Sequence, residues 1–124
     1  MKIHQMIFSP TGGTRRVSEI VCQGMGQETL VTDLCVKAAD IQLPNIHEED
    51  LTVIAMPVFA GRVPALALER LQRVNPHGAK GVVIAVYGNR AYDDALMELQ
   101  DVASAMGFRV IAAIGAVAEH SIIR

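Results

Sequence analysis

The residues nearest the start of the chain that could do chemistry form the stretch FSPTGGTRRV, residues 8–17, directly after the first apolar run. Three hydroxyl side chains and two adjacent glycines precede a helix-like pattern there. A glycine-rich turn between a strand and a helix N-terminus suits an anion, because its backbone amides point outward and the helix dipole favours negative charge. The stretch therefore predicts a phosphate-binding loop made of Ser9, Pro10, Thr11, Gly12, Gly13 and Thr14. A simpler alternative is a polar turn in which Thr14 caps the helix.

Three other kinds of phosphate-binding loop do not fit this stretch. The Walker loop ends in Gly-Lys-Ser/Thr, and no lysine follows the glycines here. The dinucleotide fingerprint spaces its glycines as GxGxxG, whereas Gly12 and Gly13 are adjacent. A cysteine phosphatase loop needs a cysteine, which the stretch lacks. The anion would meet hydroxyl groups and bare backbone amides.

Five short, mostly apolar segments alternate with helical patterns along the chain. The central segments are rich in β-branched residues and apolar on both faces, which is typical of parallel strands covered on both sides. Alternating strands and helices predict a parallel sheet with right-handed crossovers. The predicted strands are residues 2–8, 28–34, 51–56, 81–87 and 109–117.

Three helices are predicted between these strands. They follow Thr14, begin at Pro64, and run from Asp93 to a glycine cap at Gly107. Residues 35–50 have room for only a short helix. The sequence ends seven residues after the fifth strand, so no last helix is expected. We therefore expect part of one sheet face to lack cover, which favours a dimer, a missing domain or a trimmed chain.

Composition excludes several classes of protein. The 124 residues suit a single domain, residues 1–124. The longest apolar runs, residues 82–86 and 110–118, are shorter than the roughly 18–20 residues that span a bilayer. A net charge of −2 without a charged block argues against a nucleic-acid groove or a polybasic membrane contact. The start of the sequence has no secretory pattern, so a cytoplasmic location is expected.

The two cysteines do not suggest a metal site. Cys22 and Cys35 form no CxxC motif and have no histidine cluster beside them. A structural zinc ion or an iron–sulfur cluster is therefore not expected, and both residues are predicted to be free, partly buried thiols.

The motif SPTGGT resembles the S/T-x-T-G-x-T phosphate loop of flavodoxins, where hydroxyls and backbone amides hold the FMN phosphate without an obligatory cation. The order FSPTGGT, VFAGRVPALALERL, YGNRAYDDALMELQDVASAMGF and AEHS is similar to the flavodoxin-like domain of ferredoxin-fused flavodoxins of anaerobic microbes. The resemblance covers essentially the whole chain. The last helix and the clustered cysteines of the fused ferredoxin domain are missing from it. The resemblance implies a flavodoxin-like α/β three-layer sandwich with strand order 2-1-3-4-5 and FMN beside the first and third strands.

The resemblance also implies two loops that clasp the flavin ring, at the carboxyl ends of the third and fourth strands. In this chain they are residues 56–64 and 87–94. Phe59 or Tyr92 could stack on the ring. The implied ring-binding residues are Pro57, Val58, Phe59, Ala60, Gly61, Arg62, Tyr87, Gly88, Asn89, Arg90, Tyr92 and Asp93.

Two arginines on these loops have alternative interpretations. Arg62 or Arg90 near the N1 edge of the ring would stabilise a reduced, anionic flavin. Equally, each could face solvent or pair with Asp93 or Asp94.

Three further residues are ambiguous in the same way. Arg15 and Arg16 oppose the helix dipole, so one of them could assist phosphate binding, although a solvated helix face is the simpler interpretation. His120 follows the fifth strand, where it could contact the flavin, a partner or a substrate, or simply hydrogen-bond the chain turn.

The favoured function is FMN-dependent electron transfer with a redox partner protein such as a ferredoxin or a reductase. One alternative is an FMN-dependent NAD(P)H or quinone oxidoreductase, whose pocket a second subunit of a homodimer would complete, although no nicotinamide motif is visible. Another is a cofactor-free flavodoxin-like assembly domain, against which the intact hydroxyl loop argues. No metal, nucleic acid or membrane partner is predicted.

Overall fold

Strands and helices alternate along the chain, as the apolar pattern predicts. The computed structural model describes residues 1–88 and 93–118, except for the side chain of Asp93. Its elements are β1 (Ile3–Ile7), α1 (Gly13–Gln23), β2 (Thr29–Asp33), β3 (Leu51–Pro57), α2 (Ala65–Leu71), β4 (Lys80–Tyr87), α3 (Asp93–Met106) and β5 (Arg109–Val117). Between β2 and β3 the chain makes one 3₁₀ turn, Ala38–Asp40, where a short helix was expected. None of the helices in the described ranges is long and apolar enough to cross a membrane.

The five strands form one parallel sheet in the order β2-β1-β3-β4-β5. The predicted order is therefore confirmed. Ile7 of β1 pairs with Ala55 of β3, and Ala55 pairs in turn with Ile84 of β4. This register brings the carboxyl ends of the central strands to the same edge of the sheet.

Each face of the sheet carries its own hydrophobic core. The central strands β1, β3 and β4 are buried almost throughout, which explains why their sequences are apolar without alternation. Burying each large aliphatic side chain contributes about 1.5–3 kcal/mol. The core under α2 and α3 includes Met6, Ile54, Met56, Leu71 and Leu99. The core under α1 includes Ile3, Cys22, Val53, Ala55 and Ile84.

Both edge strands of the sheet, β2 and β5, are partly exposed. Ile111 and Val117 of β5 are 55% and 51% exposed. Within the described residues there are three helices, and none of them follows β5. Apolar side chains of β5 therefore face solvent in the part of the chain that the structure describes.

A buried pair of hydrogen-bonded side chains joins β1 to the residue before β3 at the amino edge of the sheet. The Nε2 of His4 lies 3.1 Å from the Oδ2 of Asp50, and both side chains are almost fully buried. The backbone amides of Lys2 and His47 donate to the same carboxylate at 2.9 Å each. Burial by itself would raise the pKa of Asp50, but these three donors outweigh it and hold that pKa well below its usual range.

Replacing this carboxylate should destabilise the fold and change its acid sensitivity. Asp50→Asn should lower the free energy of unfolding by about 3 kcal/mol at neutral pH, because an amide cannot satisfy all three donors. In the wild type, the lowered pKa stabilises the fold fully above the ordinary aspartate pKa of about 3.9, and this contribution is lost as the pH falls. The variant should therefore lose less stability between about pH 5 and about pH 3.

Urea denaturation of both proteins across this pH range measures the difference. Asp101→Asn, which changes an exposed carboxylate on α3, is the matched control and should behave as wild type. If the free energy of unfolding falls equally with pH in the wild type and in Asp50→Asn, the lowered pKa assigned to Asp50 is contradicted.

Candidate functional site

The carboxyl ends of β1, β3 and β4 meet at a narrow cleft of about 50 Å³. Backbone pairing continues past the strands, because Val58 N–H donates to Val86 at 2.9 Å and Ala118 N–H donates to Tyr87 at 2.8 Å. The cleft thus lies where the sequence placed the binding site. The predicted residues that line it are Thr11, Gly13, Thr14, Pro57, Val58, Phe59, Tyr87 and Gly88.

The residue at the cap position of α1 offers the helix no side chain. It is Gly12, whose φ of 92° lies in the left-handed region that favours glycine. Thr14 is therefore not the cap residue that the polar-turn alternative assumed. Thr14 lies inside the first turn and is buried.

The backbone amides of residues 11–14 have no acceptor among the described residues. The hydrogen bonds of the described chain use none of these four N–H groups as donors. The N–H of Arg16 donates to the carbonyl of Gly12 at 3.1 Å, which is the first hydrogen bond of the helical series in α1. Thr11 and Gly12 are exposed, so solvent or an anion can reach these donors. The arrangement suits a group of the size and charge of a phosphate.

Ser9 supports this loop from outside the helix. Its Oγ accepts the N–H of Arg15 at 3.0 Å, and its own N–H donates to the Sγ of Cys35 at 3.1 Å. Since the hydroxyl is already an acceptor, its proton remains available to donate to an anion. The sequence predicted Ser9 as a ligand, but neither its bond to α1 nor its contact with Cys35.

Of the two arginines that follow the loop, Arg15 lies on the solvated face of α1. Its Nε is 3.5 Å from the Oε2 of Glu19, one turn further along, and both side chains are exposed. Such a pair contributes only about 0.3–0.5 kcal/mol. Its charge is therefore directed along the helix surface, which agrees with the simpler interpretation of this residue.

The loop after β3 forms a two-residue hairpin turn. Phe59 and Arg62 exchange two backbone hydrogen bonds of 2.8 and 3.0 Å. Between them, Ala60 and Gly61 have φ angles of 52° and 79°, as a type I′ turn requires. The turn presents Phe59, which is 49% exposed, beside the cleft. Phe59 is therefore placed where an aromatic ring could stack on a planar ligand.

The surroundings of Arg62 and Tyr87 were not predicted from the sequence. The Nη2 of Arg62 donates to the Oε2 of Glu98 on α3 at 2.6 Å, and the arginine side chain is otherwise largely exposed. The side chain of Asp93 lies outside the described residues, so its pairing with Arg62 stays a prediction. Tyr87 is only 2% exposed, and a Cβ built on Gly115 would lie 3.4 Å from its ring. The Tyr87 ring therefore packs in the core, although the residue borders the cleft.

Part of the predicted site lies outside the described residues. Asn89, Arg90 and Tyr92 belong to it, as do the side chain of Asp93 and the residue His120. Their assignments stay predictions. In the two described ranges, no cluster of histidine, cysteine, aspartate and glutamate could hold a metal ion. Cys22 and Cys35 are free thiols, one buried and one half-buried.

Solved flavodoxin and flavoprotein structures share this architecture. A flavodoxin from the domain Archaea superposes with a TM-score of 0.69 at 17% identity, over 96% of this chain and 85% of its own. A flavoprotein in complex with FMN from Lactobacillus acidophilus NCFM superposes with a TM-score of 0.68 at 15% identity, over 93% of this chain and 92% of its own. The two-electron reduced flavodoxin of Megasphaera elsdenii superposes with a TM-score of 0.64 at 15% identity, over 93% of this chain and 84% of its own. The chain therefore has a flavodoxin-like α/β fold. No protein-family model matches the sequence, and no curated protein matches it either.

The hairpin turn makes a prediction about stability. A left-handed conformation costs a non-glycine residue about 1–2 kcal/mol, and glycine avoids this cost. Glycine also raises the conformational entropy of the unfolded chain, which offsets part of the gain in stability. Ala60→Gly should therefore raise the free energy of unfolding by about 0.5–1 kcal/mol. Ala105→Gly, at an exposed position of α3, is the matched control and should lower it by up to about 1 kcal/mol. Urea denaturation measures both, and a loss of stability in both variants would contradict the turn assignment.

Proposed function

We propose that this protein is a cytoplasmic electron carrier that binds FMN non-covalently at the carboxyl edge of its sheet. The observation that carries the proposal is the run of amides at residues 11–14, which has no partner in the described chain and lies beside the cleft. A related fold in the Lactobacillus acidophilus flavoprotein is in complex with FMN. The resemblance to ferredoxin-fused flavodoxins suggests a ferredoxin or a reductase as the redox partner.

The residues of the loop fit the phosphate end of this cofactor. An FMN phosphate carries several acceptor oxygens and no donors, which matches a set of N–H and O–H groups. A Cβ built on Gly12 meets no atom within 4 Å, so the space outside the turn is open. The cleft of about 50 Å³ is much smaller than the roughly 300 Å³ of an ordinary ligand pocket. The flavin ring would therefore lie along the open edge of the sheet.

Each of the described residues would have a separate task in this function. The bound flavin would supply the one- or two-electron chemistry. The residue 11–14 amides and the hydroxyls of Ser9, Thr11 and Thr14 would hold the phosphate. Phe59 would cover one side of the ring and exclude water from it. Glu98 on α3 pairs with Arg62, so Glu98 would compete with the flavin for the Arg62 guanidinium.

Removing a loop hydroxyl without changing its shape should weaken binding of the phosphate only. Thr14→Val and Thr11→Val should each raise the Kd for FMN about tenfold, since one hydrogen bond to a charged group contributes about 1.5 kcal/mol. The Kd for riboflavin, which lacks the phosphate, should not change. Titrations followed by quenching of flavin fluorescence measure both constants.

Thr52→Val provides the matched control for these variants. Thr52 is fully buried near the amino end of β3, at the opposite edge of the sheet, and its hydroxyl has no hydrogen-bond partner within the described ranges. Its replacement should leave both constants at wild-type values. If the folded protein binds no FMN even when FMN is in excess, the proposal is overturned and an assembly domain is favoured.

An oxidoreductase that uses NAD(P)H or a quinone is the second candidate. The exposed strand β5 favours it, because a second subunit could cover this edge and complete a substrate pocket. If the protein is a carrier, anaerobic mixing of its FMN complex with NADH or NADPH should leave the visible flavin absorbance unchanged over seconds. Fast bleaching in a stopped-flow spectrometer would overturn the carrier assignment in favour of the reductase. Addition of dithionite, which should bleach the complex, shows that the bound flavin is reducible.

A further inference from the structure

We infer that Arg70 and Cys35, neither of which belongs to the phosphate loop, are positioning residues that hold the loop in its binding shape. Arg70 lies at the end of α2, and Cys35 lies just after β2. Hydrogen bonds join Arg70 to the backbone on both sides of Cys35, and further bonds join Cys35 through Ser9 to the start of α1. The inference rests on the proposed function only in naming phosphate as the ligand of the loop.

The first step of this series of bonds fixes the segment after β2. The Nη1 of Arg70 donates to the carbonyls of Leu34 and Val36, at 2.5 and 2.6 Å. These two carbonyls flank Cys35 on either side, so one guanidinium holds the backbone on both sides of the thiol. Leu34 is fully buried and its N–H donates to Ile7 at 2.8 Å. The position of Cys35 is thereby set by α2 and β1 together.

The second step transfers this position to the phosphate loop. Cys35 Sγ accepts the N–H of Ser9 at 3.1 Å, and Ser9 Oγ accepts the N–H of Arg15 at 3.0 Å. Ser9 is therefore held at its backbone by β2 and at its side chain by α1. The loop of residues 9–15 closes on itself through the second bond. Within the closed loop, Thr11 and Gly12 are exposed, while Gly13 and Thr14 line the cleft from which a ligand would reach their amides.

The chemistry of the thiol suits its place beside an anion. Burial is the main reason that the pKa of Cys35 is raised above that of a free thiol, so the group stays uncharged at neutral pH. A neutral sulfur accepts the Ser9 N–H without adding negative charge near the phosphate. The Oδ1 of Asp33 accepts the N–H of Cys35 at 2.8 Å, which adds a further hold on the cysteine backbone.

Backbone amide exchange tests this series of bonds directly and without any flavin. In the ligand-free protein, Cys35→Ala should speed hydrogen exchange at Ser9 N–H and Arg15 N–H about fivefold or more, as measured by NMR. Arg70→Met should speed the same two amides. Cys35→Ser should restore most of the protection, because its hydroxyl can accept the Ser9 N–H. Arg73→Met and Cys22→Ala are the matched controls and should leave both amides at wild-type rates.

Flavin titrations then connect the positioning to binding. Cys35→Ala and Arg70→Met should each raise the Kd for FMN about fivefold and leave the Kd for riboflavin unchanged. A purely structural role would weaken both flavins alike, or change only the melting temperature. Wild-type exchange rates at Ser9 and Arg15 in Cys35→Ala would overturn the inference, whatever the flavins do. If the wild-type protein binds no flavin, the proposed function fails, while the exchange rates still decide the role of Arg70 and Cys35.

Discussion

The candidate site depends on one constraint at the start of α1, where consecutive backbone amides must remain without partners inside the chain. Most helices satisfy one of these donors with a side chain at the cap position. Here the cap is Gly12 in a left-handed conformation, and Ser9 reaches past it to satisfy only Arg15. Because Thr11 and Gly12 are exposed, water can satisfy the remaining donors when no ligand is bound. An anion then has to displace water but does not have to break any hydrogen bond within the described chain.

The order of the strands gives this helix start its surroundings. The strands β1 and β3 are neighbours, but α1 packs on one face of the sheet and α2 on the other. The two loops that leave these strands therefore diverge, and a crevice opens between them. Since the central strands are buried on both faces, a slip of one residue would move core side chains onto the wrong helix. The same burial that stabilises the fold thus fixes the distance between the phosphate loop and the Phe59 hairpin.

The sequence predicted the parts of this structure that depend on local pattern. The apolar runs located the five strands, and their alternation with helical patterns was enough to predict a parallel sheet. Hydroxyls and glycines predicted a phosphate loop because anion binding requires those groups close together in the chain, and its binding role stays a prediction. The resemblance to flavodoxins implied the strand order, which is confirmed, and the ring loops, which stay predictions. The residues that lie outside the described ranges, such as Tyr92 and His120, stay predictions.

The contacts that shape the site were not predictable because they join distant parts of the chain. Cys35 meets Ser9 across 26 positions, and Arg62 meets Glu98 across 36. No local pattern marks either pair, and a half-buried cysteine looks the same in sequence whether or not its sulfur accepts a hydrogen bond. The turn at Ala60 was not predictable for a different reason, because alanine rarely adopts the left-handed conformation that the hairpin imposes.

A loop without a lysine must rely on geometry more than on charge. A lysine attracts an anion over several ångströms and tolerates some error in its position. Neutral N–H and O–H donors act only at hydrogen-bond distance and weaken steeply when they are misaligned. Arg15, the nearest cation in sequence, is directed to Glu19 instead. A loop of this kind therefore needs an external support that keeps its donors aligned, and the inferred support is the set of bonds that links Arg70, Cys35 and Ser9. In this arrangement the charge of Arg70 acts on the backbone behind the loop, at the carbonyls of Leu34 and Val36.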